Sequence, residues 1–373
     1  MIPYGRQHID DADIAAVVET LRSPMLTGGP AVAKFEALIA AAAGAKHASA
    51  CSNGTTALHL IYAALGFGPG DEIITTPVTF SATAAAAYYV GASVRFADVD
   101  PVTGNLDPGS IEALVTKKTR AIVPVHLGGG PVDLDAIHAI ANRHGLVVIE
   151  DACHALGGSY NGAPIGSRSL ATVFSFHPVK HVTTGEGGAV VTNDEALKKK
   201  LDKLRSHGIE RDAAQMTSHE GAWSYEVQEL GFNYRLPDIS CALGISQMAK
   251  LEQFIARRRE IAAMYRKALK ITTPADVPGH AYHLFQVAVD WAAHGTTRAR
   301  VVTELAQRGI GTQVHYIPLY RQPLHAQRAS DKPLPGAEQF YARTLSIPMF
   351  PAMTDADVGE VVAQLHAVLG VTK

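Results

Sequence analysis

Four short apolar runs, at residues 72–76, 93–97, 121–125 and 146–150, alternate with stretches of helical periodicity. No other feature restricts the fold as much. Such runs read as strands buried in a sheet. A strand, a helix and a further strand in succession signal parallel pairing, because a parallel neighbour needs a crossover long enough to hold a helix. The helical stretch 134–143, with Ile137 and Ala141 turned inward, is one such crossover. The pattern predicts an α/β domain whose largely parallel sheet is covered on both faces, with ligands gathering at the carboxyl ends of its strands.

Ahead of this core, residues 10–22 carry Ile14, Val17, Val18 and Leu21 at helical spacing behind an Asp-rich start, which predicts an amphipathic helix ending near Ser23-Pro24. A turn through Leu26-Thr27-Gly28-Gly29-Pro30 leads to a second helix with Phe35, Leu38 and Ile39 on one face. Beyond the core, residues 194–207 are expected to be helical, with Leu197, Leu201 and Leu204 inside and Lys198, Lys199, Lys200 and Lys203 on a solvated surface. Residues 209–224 are polar and loop-like. A helical pattern from Asp238 toward Leu269 is long enough to bridge two units, and Pro237 suits its first turn. Strands at 282–290 and 312–316 and helices at 297–308 and 355–369 make up a smaller α+β unit. The expected organisation is a large α/β domain over 1–250 and a small domain over 251–373.

Bulk properties exclude several function classes. A formal charge of −2 gives no electrostatic basis for binding nucleic acid or an anionic membrane, so any phosphate must be held by local donors. Cys51, Cys153 and Cys241 are widely spaced and lack a CxxC pair, which points to a reducing compartment and argues against a zinc site. No apolar run is long enough to span a bilayer, and the expectation is a soluble cytoplasmic protein.

Four motifs carry chemistry. The stretch Phe174-Ser175-Phe176-His177-Pro178-Val179-Lys180 ends a strand-like run with a lysine in a Thr/Gly-rich loop, ahead of a second run at 189–192. Ser52-Asn53-Gly54-Thr55-Thr56 opens an apolar helix, and free N–H groups and hydroxyls at a helix start suit a phosphate. Thr79-Phe80-Ser81 follows one buried strand and Asp151-Ala152-Cys153-His154 another. Three of them have an ordinary reading: a surface lysine, a helix cap and an N-cap aspartate. Jointly they match the needs of pyridoxal phosphate, namely a lysine for the aldehyde, a stacking ring, a carboxylate for the pyridine nitrogen and donors for the phosphate.

The spacing of Ser52-Asn53-Gly54-Thr55-Thr56-Ala57-Leu58, Glu150-Asp151-Ala152-Cys153-His154-Ala155-Leu156-Gly157, the Lys180 stretch and Gly231-Phe232-Asn233-Tyr234-Arg235 resembles the DegT-type sugar-nucleotide aminotransferases across essentially the whole chain. The resemblance implies the pyridoxal-phosphate fold type I of aspartate aminotransferase, a homodimer with shared active sites, and a nucleotide ketosugar and L-glutamate as substrates. It implies that Lys180 forms the Schiff base, Asp151 pairs with the pyridinium nitrogen and Phe80 stacks on the ring. Gly54, Thr55 and Ser175 would bind the phosphate, with Asn233 reaching it from the partner subunit, and His154 would contact the ring oxygen or substrate. Tyr4, Leu26, Thr27, His315 and Tyr316 would border the sugar. Candidates for its diphosphate are Arg321, Arg235 and His315.

A dehydratase branch of that family carries histidine in place of the lysine, so Lys180 implies transamination. Ile2-Pro3-Tyr4, Leu26-Thr27-Gly28 and His315-Tyr316 look closest to the branch that aminates C4 of a UDP-4-keto-6-deoxy-N-acetylhexosamine. Its product is UDP-4-amino-4,6-dideoxy-N-acetyl-β-L-altrosamine, a precursor of pseudaminic acid. Another nucleotide ketosugar, or a pyridoxal lyase that transfers no amine, is the alternative.

Overall fold

A computed structural model describes residues 1–326 and 334–371; residues 327–333 and 372–373, which fall within the expected small domain, lie outside the described residues. The strands are β1 (His47–Cys51), β2 (Glu72–Thr75), β3 (Ser93–Phe96), β4 (Thr119–Val123), β5 (Val147–Asp151), β6 (Ser159–Tyr160), β7 (Ala163–Pro164), β8 (Ala171–Ser175), β9 (Gly188–Thr192), β10 (Ile209–Glu210), β11 (Glu226–Val227), β12 (Phe285–Ala288) and β13 (Thr344–Ile347). A seven-stranded sheet runs β1-β9-β8-β5-β4-β2-β3. Its neighbours pair in parallel from β8 through β5, β4 and β2 to β3, and β9 alone is reversed, pairing antiparallel with both β1 and β8. The mostly parallel sheet flanked by helices is the fold that the sequence implies. The one reversal goes with the local connection: the loop that joins β8 and β9 holds no helix to carry a crossover, and the two strands pair antiparallel.

Helices α1 (Asp11–Arg22), α2 (Pro30–Ala42), α3 (Gly54–Ala64), α4 (Ala82–Tyr89), α5 (Leu134–His144), α6 (Glu195–Leu204), α7 (Asp238–Met248) and α8 (Leu251–Ala268) precede α9 (Arg298–Gln307), α10 (Pro323–Ala326), α11 (Pro335–Arg343) and α12 (Asp355–Leu369). Two buried apolar clusters lie on the two faces of the sheet, one with Phe35 and Ile137, the other with Leu58, Ile61 and Leu201. A third gathers Ile261, Phe285, Val301, Leu345 and Val361 into the core of a smaller unit. Helix α8 passes between cores, Leu251 and Ile255 joining the first and Ile261 and Tyr265 the third. The chain start also docks on the smaller unit, through the Ile2–Ile310 bridge.

Four local expectations are corrected. Helix α1 forms, but its apolar side is not buried: Ile14, Val18 and Leu21 are exposed, and Asp13 is the buried residue. The helix docks through polar groups, Asp13 Oδ2 accepting from Gln247 Nε2 at 2.7 Å and Lys250 Nζ at 2.6 Å. The long helix from Asp238 is interrupted at Ala249-Lys250, where Lys250 turns its amine onto Asp10 and Asp13. Residues 312–316 are not a strand; a single bridge joins Gln313 to Ser346. The lysines of α6 are tethered rather than simply solvated, Lys198 to Glu36, Lys200 to Glu229 and Lys203 to Glu210.

Alternation along β5 sends Glu150 and Asp151 to opposite faces of the sheet. Glu150 is fully buried, its Oε2 2.7 Å from His126 Nε2 and its Oε1 accepting from Thr172 Oγ1. Val132 N–H donates to His126 Nδ1, so Nε2 carries the proton and donates to Glu150. Burial alone raises the Glu150 pKa, but His126, Ser169 and Thr172 outweigh it and hold it below the usual value. Glu150→Leu leaves the His126 N–H without an acceptor; we expect a loss of about 3–5 kcal/mol, measured as a lower urea midpoint. In the unmutated protein the Glu150 contribution is complete above the ordinary glutamate pKa and fades as pH falls through the depressed folded value.

Candidate active site

The carboxyl ends of β1, β2, β4, β5 and β8 open on one cavity of about 970 Å³. Of the residues expected from sequence, Tyr4, Gly54, Thr55, Phe80, Asp151, His154, Ser175, Lys180, His315 and Tyr316 all line it. Leu26 and Thr27 do not: they are exposed on the α1–α2 connector. Asn233 is likewise exposed and outside the lining. Arg321 is paired with Glu338 and Arg235 faces solvent, so of the three diphosphate candidates only His315 reaches the cavity.

Lys180 stands in the β8–β9 loop, in a turn closed by its N–H donating to His177 O at 2.9 Å. Its Nζ makes no hydrogen bond or ion pair with any described residue. Burial lowers the amine pKa, opposed by Cys153 and Asp151. Asp151 is buried and ends β5 rather than capping a helix. Its Oδ2 accepts from Thr83 Oγ1 at 2.7 Å, Thr79 Oγ1 lies 2.9 Å from Thr83 Oγ1, and its Oδ1 accepts from Cys153 N–H at 3.2 Å. These hydroxyls fix the carboxylate's orientation without neutralising it. Thr79 lay in the motif at 79–81 without a role of its own and Thr83 was not expected; the signal for the pair was two threonines one helical turn apart just after a strand.

Helix α3 begins with a capping box, in which Asn53 accepts from Thr56 N–H while Thr56 Oγ1 accepts from Asn53 N–H. The next donors, Gly54 and Thr55 N–H, have no intrahelical partner and look into the cavity beside Ser175. A Cβ at Gly54 would stand 3.1 Å from Cys153 Sγ and 3.2 Å from Ser175 Cβ, so a side chain there would crowd this cradle. An anion-sized recess with free N–H groups and a positive helix end fits a phosphate. The exposed ring of Phe80 stands 6.3 Å from that of Tyr316 at the rim.

The wall facing Lys180 is built of histidines. Gly128 N–H donates to His154 Nδ1 at 3.3 Å, so the proton is on Nε2 and points to the Tyr316 hydroxyl at 3.3 Å. Burial and the Lys180 charge keep His154 well below the ordinary histidine pKa, and hold His315 at about 4. His315 Nδ1 is 2.8 Å from Ser346 Oγ. Burial, then Asp151, keeps the Cys153 thiol protonated.

These groups together are a carbonyl-capturing amine, a carboxylate and a phosphate cradle around one space. A model of the DegT/DnrJ/EryC1/StrS aminotransferase family matches residues 7–366. The chain belongs to this family. It is 42% identical over 99% of its length, and 97% of the relative's, to the spore coat polysaccharide biosynthesis protein SpsC of Bacillus subtilis. Among solved structures it resembles PseC of Helicobacter pylori, an aminotransferase involved in the biosynthesis of pseudoaminic acid, with a TM-score of 0.93, 33% identity and full coverage of both chains. The putative sugar aminotransferase Spr1654 of Streptococcus pneumoniae, solved in its PMP form, follows at a TM-score of 0.92, with 27% identity over 99% of each chain. The protein is thus a pyridoxal-phosphate-dependent sugar aminotransferase of fold type I.

Two outcomes follow from the geometry. Thr83→Val keeps side-chain volume but removes the donor to Asp151, and cofactor affinity should fall about tenfold in a spectrophotometric titration of the apoprotein. Because burial depresses the Lys180 pKa, its reactive free amine exists at lower pH than on a surface lysine. Cofactor capture by the apoprotein, followed by absorbance, should rise with pH and level off below the range where ordinary lysines titrate.

Proposed function

We propose that this aminotransferase moves an amino group from L-glutamate to C4 of a UDP-linked 4-keto-6-deoxy-N-acetylhexosamine. The product is UDP-4-amino-4,6-dideoxy-N-acetyl-β-L-altrosamine, in the reducing cytoplasm. The observation that carries the chemistry is Lys180 Nζ, without a partner among the described residues, in a cavity that also holds Asp151 and the α3 cradle. The likeness to PseC over the whole chain supports the choice of sugar.

In this reading Gly54 N–H, Thr55 and Ser175 hold the cofactor phosphate, Asp151 pairs with the pyridinium nitrogen and Phe80 covers the ring. Bound there, pyridoxal phosphate supplies an electron sink for the carbon that loses a proton. Lys180 Nζ takes that proton from Cα of glutamate as general base, and in the second half-reaction delivers one to C4 of the sugar. His154 would contact the cofactor's ring oxygen or the substrate, and Tyr4, His315 and Tyr316 would border the sugar. Leu26, Thr27 and Asn233, exposed and outside their own chain's cavity, would join the site of the partner in a homodimer. The exposed apolar stripe of Ile14, Val18 and Leu21 supports that assembly.

The test mixes purified protein with L-glutamate and a panel of UDP- and TDP-linked 3-keto and 4-keto sugars, identifying products by mass and NMR. The expected result is a C4-aminated altrosamine with one 2-oxoglutarate per product. Amination of another ketosugar only would replace the proposed substrate, and product without 2-oxoglutarate would indicate a lyase. Lys180→Ala should lose the visible band of the lysine-bound cofactor and at least about 10²–10⁴-fold in turnover.

A further inference from the structure

His283 lines the Lys180 cavity and is 4% exposed, yet the motifs legible in the sequence do not include it. Its ring centroid lies 4.4 Å from that of His154 and 5.7 Å from that of His181. Each buried histidine around it bonds through at least one nitrogen: His154 to Gly128 and Tyr316, His181 Nε2 to Ala281 O, and His315 to Ser346. His283 bonds through neither. Its Nδ1 is enclosed with no partner, and its Nε2 meets no hydrogen-bonding group among the described residues.

The backbone cannot shift to relieve this. Arg258, itself fully buried, donates through Nη1 to the carbonyls of Tyr282, His283 and Met349 at 3.0–3.2 Å. On the other side Gly129, at φ +94°, approaches so closely that a Cβ there would stand 2.6 Å from His154 O and 3.1 Å from His283 N. The ring is therefore held in place. An enclosed N–H without an acceptor is costlier and rarer than a bare acceptor nitrogen, so Nδ1 is the unprotonated atom and the proton sits on Nε2. Burial, then Lys180, His154, His181 and Arg258, keep the ring neutral. It lines the same cavity as Lys180 and packs beside His181, the residue that follows the lysine in the chain, which places it at the amine end of the cavity.

We propose that His283 Nε2–H is a ligand-binding donor at the amine end of the cavity, taking an oxygen acceptor of the ligand that meets Lys180. The acceptor is either a carbonyl or hydroxyl oxygen of the sugar or the ring oxygen of the cofactor. An uncharged donor suits either oxygen, since it orients the ligand without adding a second positive charge beside the lysine. This assignment rests on the reading of Lys180 as the cofactor lysine.

Three variants test it. His283→Gln keeps an N–H near the Nε2 position, His283→Asn places one near Nδ1 instead, and His283→Leu has none. Each is measured for Tm, for pyridoxal phosphate affinity and absorption band by titration of the apoprotein, and for affinity of UDP-N-acetylglucosamine by calorimetry on protein loaded with pyridoxamine phosphate. The Leu and Asn variants should lose about tenfold in one affinity, which the Gln variant largely restores. Loss of cofactor affinity with a shifted band assigns the ring oxygen, whereas loss of sugar affinity with an unchanged band assigns the sugar. The Leu variant should also keep or raise Tm, because it removes an unsatisfied buried nitrogen. Lower Tm with both affinities within twofold of the parent would make His283 a packing residue and overturn the proposal. Failure of the cofactor-lysine reading is a separate result, seen as unmutated protein that captures no cofactor.

Discussion

An amine and a carboxylate face the same cavity, and neither is paired with an opposite charge in contact. Lys180 Nζ has no partner among the described residues, and Asp151 is held by a hydroxyl and a backbone N–H rather than by a cation. Burying such groups is costly, and a fold keeps them only where something else supplies the missing partner. In the proposed function pyridoxal phosphate would supply it at both ends, an aldehyde for the amine and a pyridinium for the carboxylate. The sheet serves this constraint. Alternation along β5 turns Asp151 to the α3 and α4 side while its neighbour Glu150 is spent on the His126 pair behind it.

The electrostatics of the cavity follow from the same economy of charge. Among the described lining residues Lys180 is the one lysine or arginine, and burial and its field push His154, His283 and His315 toward the neutral form. A phosphate here would be left to oriented N–H groups and hydroxyls at the start of α3, where the helix end contributes partial positive charge without an ionisable group. Arg258 stands behind this wall and not in it, donating to three carbonyls that hold the smaller unit against the cavity. Chain beyond α8 thus shapes the site through Tyr316, His315 and His283, although the lysine and the carboxylate belong to the sheet and its loops.

Periodicity and composition determined a good deal unaided. The buried runs, the α3 start, the Asp151 strand end and the lysine loop are local features, set by side-chain period, capping chemistry and turn residues, and all were legible along the chain. Joined to the spacing of four motifs, they were enough to identify the family and its cofactor. Tertiary structure decided what local pattern cannot encode. The stripe of Ile14, Val18 and Leu21 reads as an inward face because amphipathicity reports only that a helix has two sides, whereas the Asp13–Gln247–Lys250 contacts decide which side docks. Thr83 and His283 matter through partners 68 and 129 residues away in Asp151 and His154, and such pairings leave no spacing to read. Whether Nδ1 or Nε2 carries a histidine's proton depends on one N–H from a distant glycine, and only the folded chain brings that N–H to the ring.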